Sequence, residues 1–170
     1  MNVDVGAVRR AKEGNIESFE MVYAQVAPDL YKVALYTLGN THDAEDAVSE
    51  TFLEAFKGIK NLRDETKFAS WIMKILSIRC KRKIGQYIKD KNSIDIDEIM
   101  GLTSTEGDPT QRAEVLTALN ELKQEERLIV VLSVLQGYTI REIAAILGCP
   151  QGTVSSKFHR TLKKLKEKLS

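Results

Sequence analysis

Apolar residues recur at helical spacing along most of this 170-residue chain, and no stretch shows the strict apolar–polar alternation of a β-strand. Pro28 falls inside the first apolar stripe and predicts an irregularity there. The pattern therefore predicts an all-α protein. Three stripes predict three helices in the first half: Phe19, Val22, Tyr23, Val26, Leu30, Val33 and Ala34; then Ala44, Val48, Phe52, Ala55, Phe56 and Ile59; then Phe68, Trp71, Ile72, Ile75 and Ile78.

The helical periodicity fails between Gly85 and Asp108, where acidic, glycine and small polar residues collect, and it returns after Pro109. This break predicts two small helical domains of about four helices each, joined by a flexible linker. We place the first domain at residues 1–90, an acidic linker at 91–109 and the second domain at 110–170.

The stretch TIREIAAILGCPQGTVSSKFHR, from Thr139 to Arg160, carries the signals of a helix-turn-helix. Thr139 and Glu142 have the spacing of a capping box, which starts a helix at the next residue. Gly148 tolerates the left-handed backbone that ends such a helix, and a proline two residues later prevents continuation. An ordinary helical hairpin is the simpler alternative.

The outward face of the second helix favours DNA binding over an ordinary hairpin. Ala144 is small enough for a close helix crossing, and Val154 supplies the branched residue that faces back. The outward side chains are short hydrogen-bonding or cationic groups, and acids are absent until Glu167. Such groups suit phosphates and base edges in a major groove. This face comprises Gln151, Thr153, Ser155, Ser156, Lys157, His159, Arg160 and Lys163.

The charges are segregated along the chain although the formal net charge is only +1. Five acids and no Lys or Arg lie between Asp43 and Glu54, whereas seven basic residues and one acid lie between Lys74 and Lys91. Six more basic residues and one acid lie between Lys157 and Lys168. Blocks of opposite sign predict separate faces for different partners.

Other classes of protein find little support in the composition. The two cysteines are far apart and no CxxC motif or Cys/His cluster occurs, so we predict neither a metal site nor a disulfide framework. The N-terminus lacks the apolar core of a signal peptide, and the longest apolar run is too short to span a bilayer. We expect a soluble intracellular protein without a cofactor.

Three segments together resemble the extracytoplasmic-function (ECF) sigma factors, bacterial RNA polymerase subunits that direct promoter choice. DAEDAVSETFLEAF resembles the signature of sigma region 2, and FASWIMKIL resembles the Phe-x-x-Trp-Leu stretch that follows it. GYTIREIAAILGCPQGTVSSKFHRTLKKLK resembles sigma region 4. The three segments occur in the family's order and cover nearly the whole chain.

The resemblance implies two functional surfaces in region 2. One docks on the clamp helices of the largest polymerase subunit, and the other reads and opens the −10 promoter element. The docking residues would be Asp46, Ser49, Glu50 and Leu53. The −10 residues would be Arg63, Asp64, Thr66, Trp71, Lys74, Ile78, Arg79 and Arg82.

Two positions of the −10 set depart from the family pattern. Ile78 stands where relatives commonly have Asn, and Arg82 where they often have Asp. An isoleucine cannot form the hydrogen bonds by which Asn helps to read a flipped base. We therefore expect a different −10 motif, or readout by Arg63, Asp64 and Thr66 in the preceding loop.

Region 4 would bind the flap of the second-largest polymerase subunit and read the −35 element through the outward face of its second helix. Ser155, Ser156, His159 and Arg160 would contact bases or backbone there, although Ser155 stands where many relatives have a long cation. Thr153, Lys157 and Lys163 would contact phosphates. The resemblance further implies control by an anti-sigma factor, often membrane-bound, which would hold the protein at the cytoplasmic membrane face; no small-molecule substrate is implied.

Alternative interpretations compete with these assignments. The acidic residues of DAEDAVSETFLEAF could form an ordinary solvated face, and Trp71 could be a core aromatic, which is compatible with a role in DNA opening. A stand-alone helix-turn-helix regulator would share the C-terminal segment, as LuxR-type regulators do, but its first half would lack the region 2 signature. An enzyme is the weakest alternative, because no nucleophile–His–acid set or phosphate-binding loop is visible.

Overall fold

The computed structural model describes residues 1–86 and 108–170, and within these ranges every regular element is helical. The all-α prediction is confirmed. Most of the predicted linker, 91–109, lies outside the described residues. The first half contains α1 (Val5–Lys12), α2 (Ile16–Leu38), α3 (Thr41–Gly58) and α4 (Phe68–Gln86). The second half contains α5 (Pro109–Asn120), α6 (Gln124–Val130), α7 (Ile140–Leu147) and α8 (Gln151–Leu169).

Side-chain caps fix the starts of the first three helices. The side chain of Asp4 accepts the N–H of Ala7, that of Asn15 accepts the N–H of Ser18, and that of Asn40 caps α3. Each cap satisfies a backbone donor that has no partner within its helix. Pro28 lies inside α2 without ending it, so the first apolar stripe forms one continuous helix, as predicted.

Two irregular segments were not predicted. Two short 3-10 turns, Ile59–Asn61 and Glu65–Lys67, connect α3 to α4. A π-helical turn, Val131–Leu135, continues α6. Within this turn the apolar run reaches the surface, since Val131 and Leu132 are buried whereas Val134 is 64% exposed.

The core of the first half forms around α2, against which α1, α3 and α4 all pack. Phe19 is buried at its centre and makes edge-on ring contacts with Phe52 and Phe56, at centroid distances of 5.4 Å and 5.2 Å. Tyr23 joins this cluster 4.6 Å from Phe52. These aromatic contacts fix α3 on α2, and α3 in turn packs along α4.

The two halves pack directly on each other through α2 and α4 of the first half and α6 and α7 of the second. Their buried apolar residues form one continuous cluster. Arg127 of α6 is only 3% exposed and donates from Nη1 to the carbonyl of Thr37, 3.4 Å away. Burial lowers the pKa of Arg127 to about 10. Lys81 of α4 donates to the carbonyl of Leu147 at the end of α7, 3.3 Å away.

A paired glycine experiment tests the turn of the helix-turn-helix. Gly148 has φ +64°, whereas Gly152 lies in α8, and a Cβ at either site would meet open space. Because only backbone conformation distinguishes them, Gly148→Ala should destabilise by about 1 kcal/mol while Gly152→Ala should stabilise by about 0.5 kcal/mol. Urea denaturation measures both; equal effects at the two sites would contradict the role assigned to Gly148.

Candidate polymerase-docking and DNA-binding surfaces

The helix-turn-helix of α7 and α8 is assembled as the sequence predicts. The hydroxyl of Thr139 accepts the N–H of Glu142 at 3.2 Å, and the Glu142 carboxylate accepts the N–H of Thr139 at 2.8 Å. Gly148 adopts the left-handed conformation at the end of α7. Ala144 and Val154 are both buried, so α7 and α8 cross on a small residue and a branched residue.

The predicted −35 residues divide into two groups on α8. Ser155 and Lys157 are half-buried, and Lys157 Nζ lies 3.5 Å from the Glu125 carboxylate of α6. The exposed residues form one continuous polar face with the cations at its C-terminal end. They are Gln151, Thr153, Ser156, His159, Arg160 and Lys163.

Other lysines of the basic C-terminal block support the fold instead of this face. Lys164 Nζ lies 3.1 Å from the Glu126 carboxylate, and Lys168 pairs with Glu121. These contacts join α8 to α6 and to the residue that ends α5. The basic block is thus divided between exposed positions of the predicted −35 face and contacts within the domain.

On α4, three of the predicted −10 residues form an exposed stripe. Lys74, Ile78 and Arg82 follow one another at intervals of four residues and therefore share one face of the helix. Ile78 is 45% exposed in the middle of this stripe, between two cations. The stripe therefore presents two cations to solvent with an apolar side chain between them.

Arg79 points away from that stripe. Its guanidinium pairs with Glu54 of α3, and Nη1 lies 3.8 Å from the Glu50 carboxylate. Lys83, one helical turn further on, lies 3.6 Å from the Asp46 carboxylate. The structure thus places Arg79 between α4 and α3, apart from the other predicted −10 residues of α4.

Trp71 lies half-buried at the start of α4. Its ring centroid is 5.8 Å from that of Phe68, and a Cβ added to Gly58 would come within 3.4 Å of the indole. The indole therefore fills the space between the start of α4 and the end of α3. This contact supports the core role of Trp71, with which a role in DNA opening is compatible.

The loop before α4 presents three exposed polar residues, Arg63, Asp64 and Thr66. Asp64 Oδ1 accepts the hydroxyl of Thr66 at 2.6 Å and its N–H at 3.0 Å. The hydrogen bond from the Thr66 hydroxyl lowers the pKa of Asp64. The loop therefore holds a charged carboxylate in a fixed turn beside the basic helix.

The predicted docking residues lie along one side of α3. Ser49, Glu50 and Leu53 are exposed, with Leu53 at 56%, and Asp46 is half-buried. Phe56, which the apolar pattern assigned to the core, is 46% exposed. Phe56 lies three residues after Leu53 in α3, and this spacing places both side chains on the same face of the helix.

The described residues include one cluster of potential metal ligands and two free cysteines. His42, Asp43 and Asp46 offer ligand atoms within 4.8 Å of one another at the start of α3, but Asp46 already contacts His42 and Lys83. Cys80 and Cys149 are free, and burial raises the pKa of Cys80 to about 12.

Among the described helices, none has the length and apolarity needed to cross a membrane.

Comparison with known families accounts for both halves of the structure. Residues 22–91 match the family described as Sigma-70 region 2, and residues 112–165 match Sigma-70, region 4. The chain therefore belongs to the sigma-70 family of transcription initiation factors. Within that family its sequence relatives place it among the ECF sigma factors, the alternative RNA polymerase sigma subunits.

Three relatives illustrate the similarity. ECF RNA polymerase sigma factor SigE of Mycolicibacterium smegmatis is 31% identical over 163 residues, which cover 90% of this chain and 62% of SigE. RNA polymerase sigma factor CarQ of Myxococcus xanthus is 28% identical, with 95% of each chain covered. ECF RNA polymerase sigma factor SigW of Bacillus subtilis is 24% identical and covers 95% of this chain and 94% of SigW. The chain thus spans about three-fifths of one relative and nearly all of the other two.

Two solved structures share the fold. CnrH, in complex with the cytosolic domain of CnrY, aligns with a TM-score of 0.72 at 22% identity, covering 98% of this chain and 96% of CnrH. The sigma factor RpoE of Bartonella quintana, in complex with the anti-sigma factor NepR, also aligns with a TM-score of 0.72, at 21% identity over 91% of this chain and 98% of RpoE. These alignments confirm the arrangement of the helices.

Proposed function

We propose that this ECF sigma factor binds core RNA polymerase through α3 and reads promoter DNA through α4 and α8. The observation that carries this proposal is the simultaneous exposure of three chemically distinct faces. An acidic and apolar face on α3 centres on Glu50 and Leu53, a basic stripe on α4 centres on Ile78, and a polar and cationic face on α8 includes Arg160. The packing between the two halves leaves all three faces open to solvent.

In this proposal α8 enters the major groove of the −35 element. Its N-terminal residues Gln151 and Thr153 and the hydroxyl of Ser156 are short groups suited to close approach. Arg160 reaches further and can donate two hydrogen bonds to a guanine. Lys163 neutralises a phosphate, whereas Lys157, held by Glu125, contributes less to binding.

The −10 element is read and opened by α4 and its preceding loop. Lys74 and Arg82 neutralise phosphates on either side of Ile78, which makes apolar contact with a base or sugar. Because Ile78 has no hydrogen-bonding group, base discrimination falls to the loop that contains Asp64 and Thr66. The chain itself carries out no catalysis; it positions polymerase and stabilises opened DNA.

We also propose control by an anti-sigma factor in the cytoplasm, where polymerase and promoter DNA are found. The two solved relatives are described in complexes with the cytosolic domain of CnrY and with the anti-sigma factor NepR. An inhibitor that covers the α3 face or the α8 face would block polymerase or DNA directly. A membrane-bound inhibitor would hold the protein at the membrane face.

Besides the α3 contact with the largest polymerase subunit, region 4 would bind the flap of the second-largest subunit.

Reconstitution tests the proposed function. Purified protein is mixed with core RNA polymerase, analysed by gel filtration, and then used for run-off transcription from genomic fragments. We expect co-elution with the core enzyme and transcripts that start at discrete sites only when the protein is added. A stand-alone regulator would instead bind DNA without polymerase, and that result, or a failure to initiate on any fragment, would overturn the proposal.

A further inference from the structure

A row of acids on α3 faces a row of bases on α4. Asp46, Glu50 and Glu54 follow one another at intervals of four residues, and so do Arg79 and Lys83. Lys83 lies 3.6 Å from Asp46, whereas Arg79 lies 3.8 Å from Glu50 and pairs closely with Glu54. Lys83, which follows Arg79 in the chain, thus contacts the acid that comes first in α3. This order is expected because α3 and α4 run in opposite directions.

Arg79 is enclosed by this contact. Its side chain is 18% exposed, whereas those of Glu50 and Glu54 are 46% and 45% exposed. Its Nε is buried and has no hydrogen-bond partner among the described residues. The guanidinium would have to leave both carboxylates to reach DNA, whereas Arg82, three residues later, is already exposed.

The contact at Glu54 differs from the contact at Glu50. Glu54 forms the close pair that fixes the guanidinium, and it is not one of the predicted docking residues. Glu50 lies farther away, so its carboxylate feels the positive charge while remaining half exposed to a partner. Without Arg79, three carboxylates at intervals of one helical turn would repel one another.

We propose that Arg79 is a positioning residue for polymerase docking and makes no −10 contact. This inference rests on the proposed docking role of α3. Through Glu54, Arg79 holds the Glu50 carboxylate in the orientation that the polymerase meets, and it limits repulsion along the acidic row. The basic helix α4 therefore has two edges, of which Lys74, Ile78 and Arg82 face DNA and Arg79 and Lys83 support the docking helix.

A charge-swap series tests this assignment with titrations of labelled protein against core polymerase. Arg79→Glu should weaken core binding by about tenfold, since it replaces an attraction with a repulsion. Glu54→Arg combined with Arg79→Glu should restore most of that affinity, because a cation then lies one turn from Glu50 again. Arg79→Gln removes the positive charge without adding a negative one, so it should cause a smaller loss of core affinity. It replaces Arg79→Glu as the test variant if Arg79→Glu does not fold.

The matched control is Arg82→Glu on the exposed edge of the same helix. It should weaken binding of the holoenzyme to −10 DNA while core affinity stays unchanged. Loss of −10 binding with normal core affinity in the Arg79 variants would overturn the inference, as would failure of the double variant to recover. Wild-type protein that does not bind core polymerase would instead refute the proposed function, and the first titration would show it.

Discussion

Arg127→Glu should lower the free energy of unfolding by about 3–5 kcal/mol, the largest loss we expect from any charged residue in the part of the chain that the structure describes. The side chain lies between the two halves, where Nε donates to the carbonyl of Leu122 at 3.2 Å and Nη1 to that of Thr37 at 3.4 Å. A carboxylate at this site would face two carbonyl oxygens with no proton to donate. It would also be desolvated, at a cost that grows with burial.

Arg141→Glu is the matched control, because it makes the same change of charge on an exposed residue of α7. An acid in the first turn of a helix suits the helix dipole, so we expect a change within about 0.5 kcal/mol. Urea denaturation followed by circular dichroism measures both variants. A loss below about 1 kcal/mol for Arg127→Glu would show that the contact with Thr37 contributes little in solution.

Local sequence rules predicted the elements that depend on a few neighbouring residues. The capping box of Thr139 and Glu142 and the left-handed Gly148 are both present. Each involves a hydrogen bond or a backbone conformation that residues within one turn determine. The apolar stripes likewise located α2, α3 and α4, since burial on one face imposes that spacing, but no stripe marked α1 as a separate helix.

Contacts between elements distant in the chain could not be predicted in this way. The packing of the two halves depends on how Arg127 and Lys81 meet carbonyl groups of the opposite half, and neither residue belongs to an apolar pattern. The same applies to α4, where Arg79 and Arg82 look alike in sequence. Only the position of α3 distinguishes them, because its acids lie beside Arg79.

The exposure of Phe56 has a similar cause. Its apolar character assigned it to the core, and its ring does contact Phe19. The π-helical turn and the exposed Val134 show the same limitation, since an apolar run does not determine which of its residues face a neighbour. The resemblance to sigma factors supplied the docking and −10 residues, and the side-chain pattern of α8 supplied the −35 face, whereas the structure shows how these residues divide among separate faces.

Arg160→Ala and Glu50→Arg should have opposite effects on the two binding steps of a sigma factor. Arg160 lies exposed on α8, so its loss should weaken −35 binding by about 1–3 kcal/mol, or roughly 5- to 160-fold, without changing core affinity. Glu50→Arg places a second cation beside Arg79 on the docking face and should weaken core binding by about tenfold or more. Core titrations and holoenzyme binding to promoter fragments measure the two steps separately.

Lys164→Ala is the control for Arg160→Ala, because Lys164 is a cation of the same helix that pairs with Glu126. It should leave −35 specificity intact and change stability by less than about 1 kcal/mol. If Arg160 reads a base, its loss should relax sequence preference at one −35 position; if it contacts only phosphate, all sequences should weaken equally and the salt dependence should fall. Equal loss of core and −35 binding in either functional variant would contradict the separation of the α3 and α8 surfaces, provided that circular dichroism shows a folded protein.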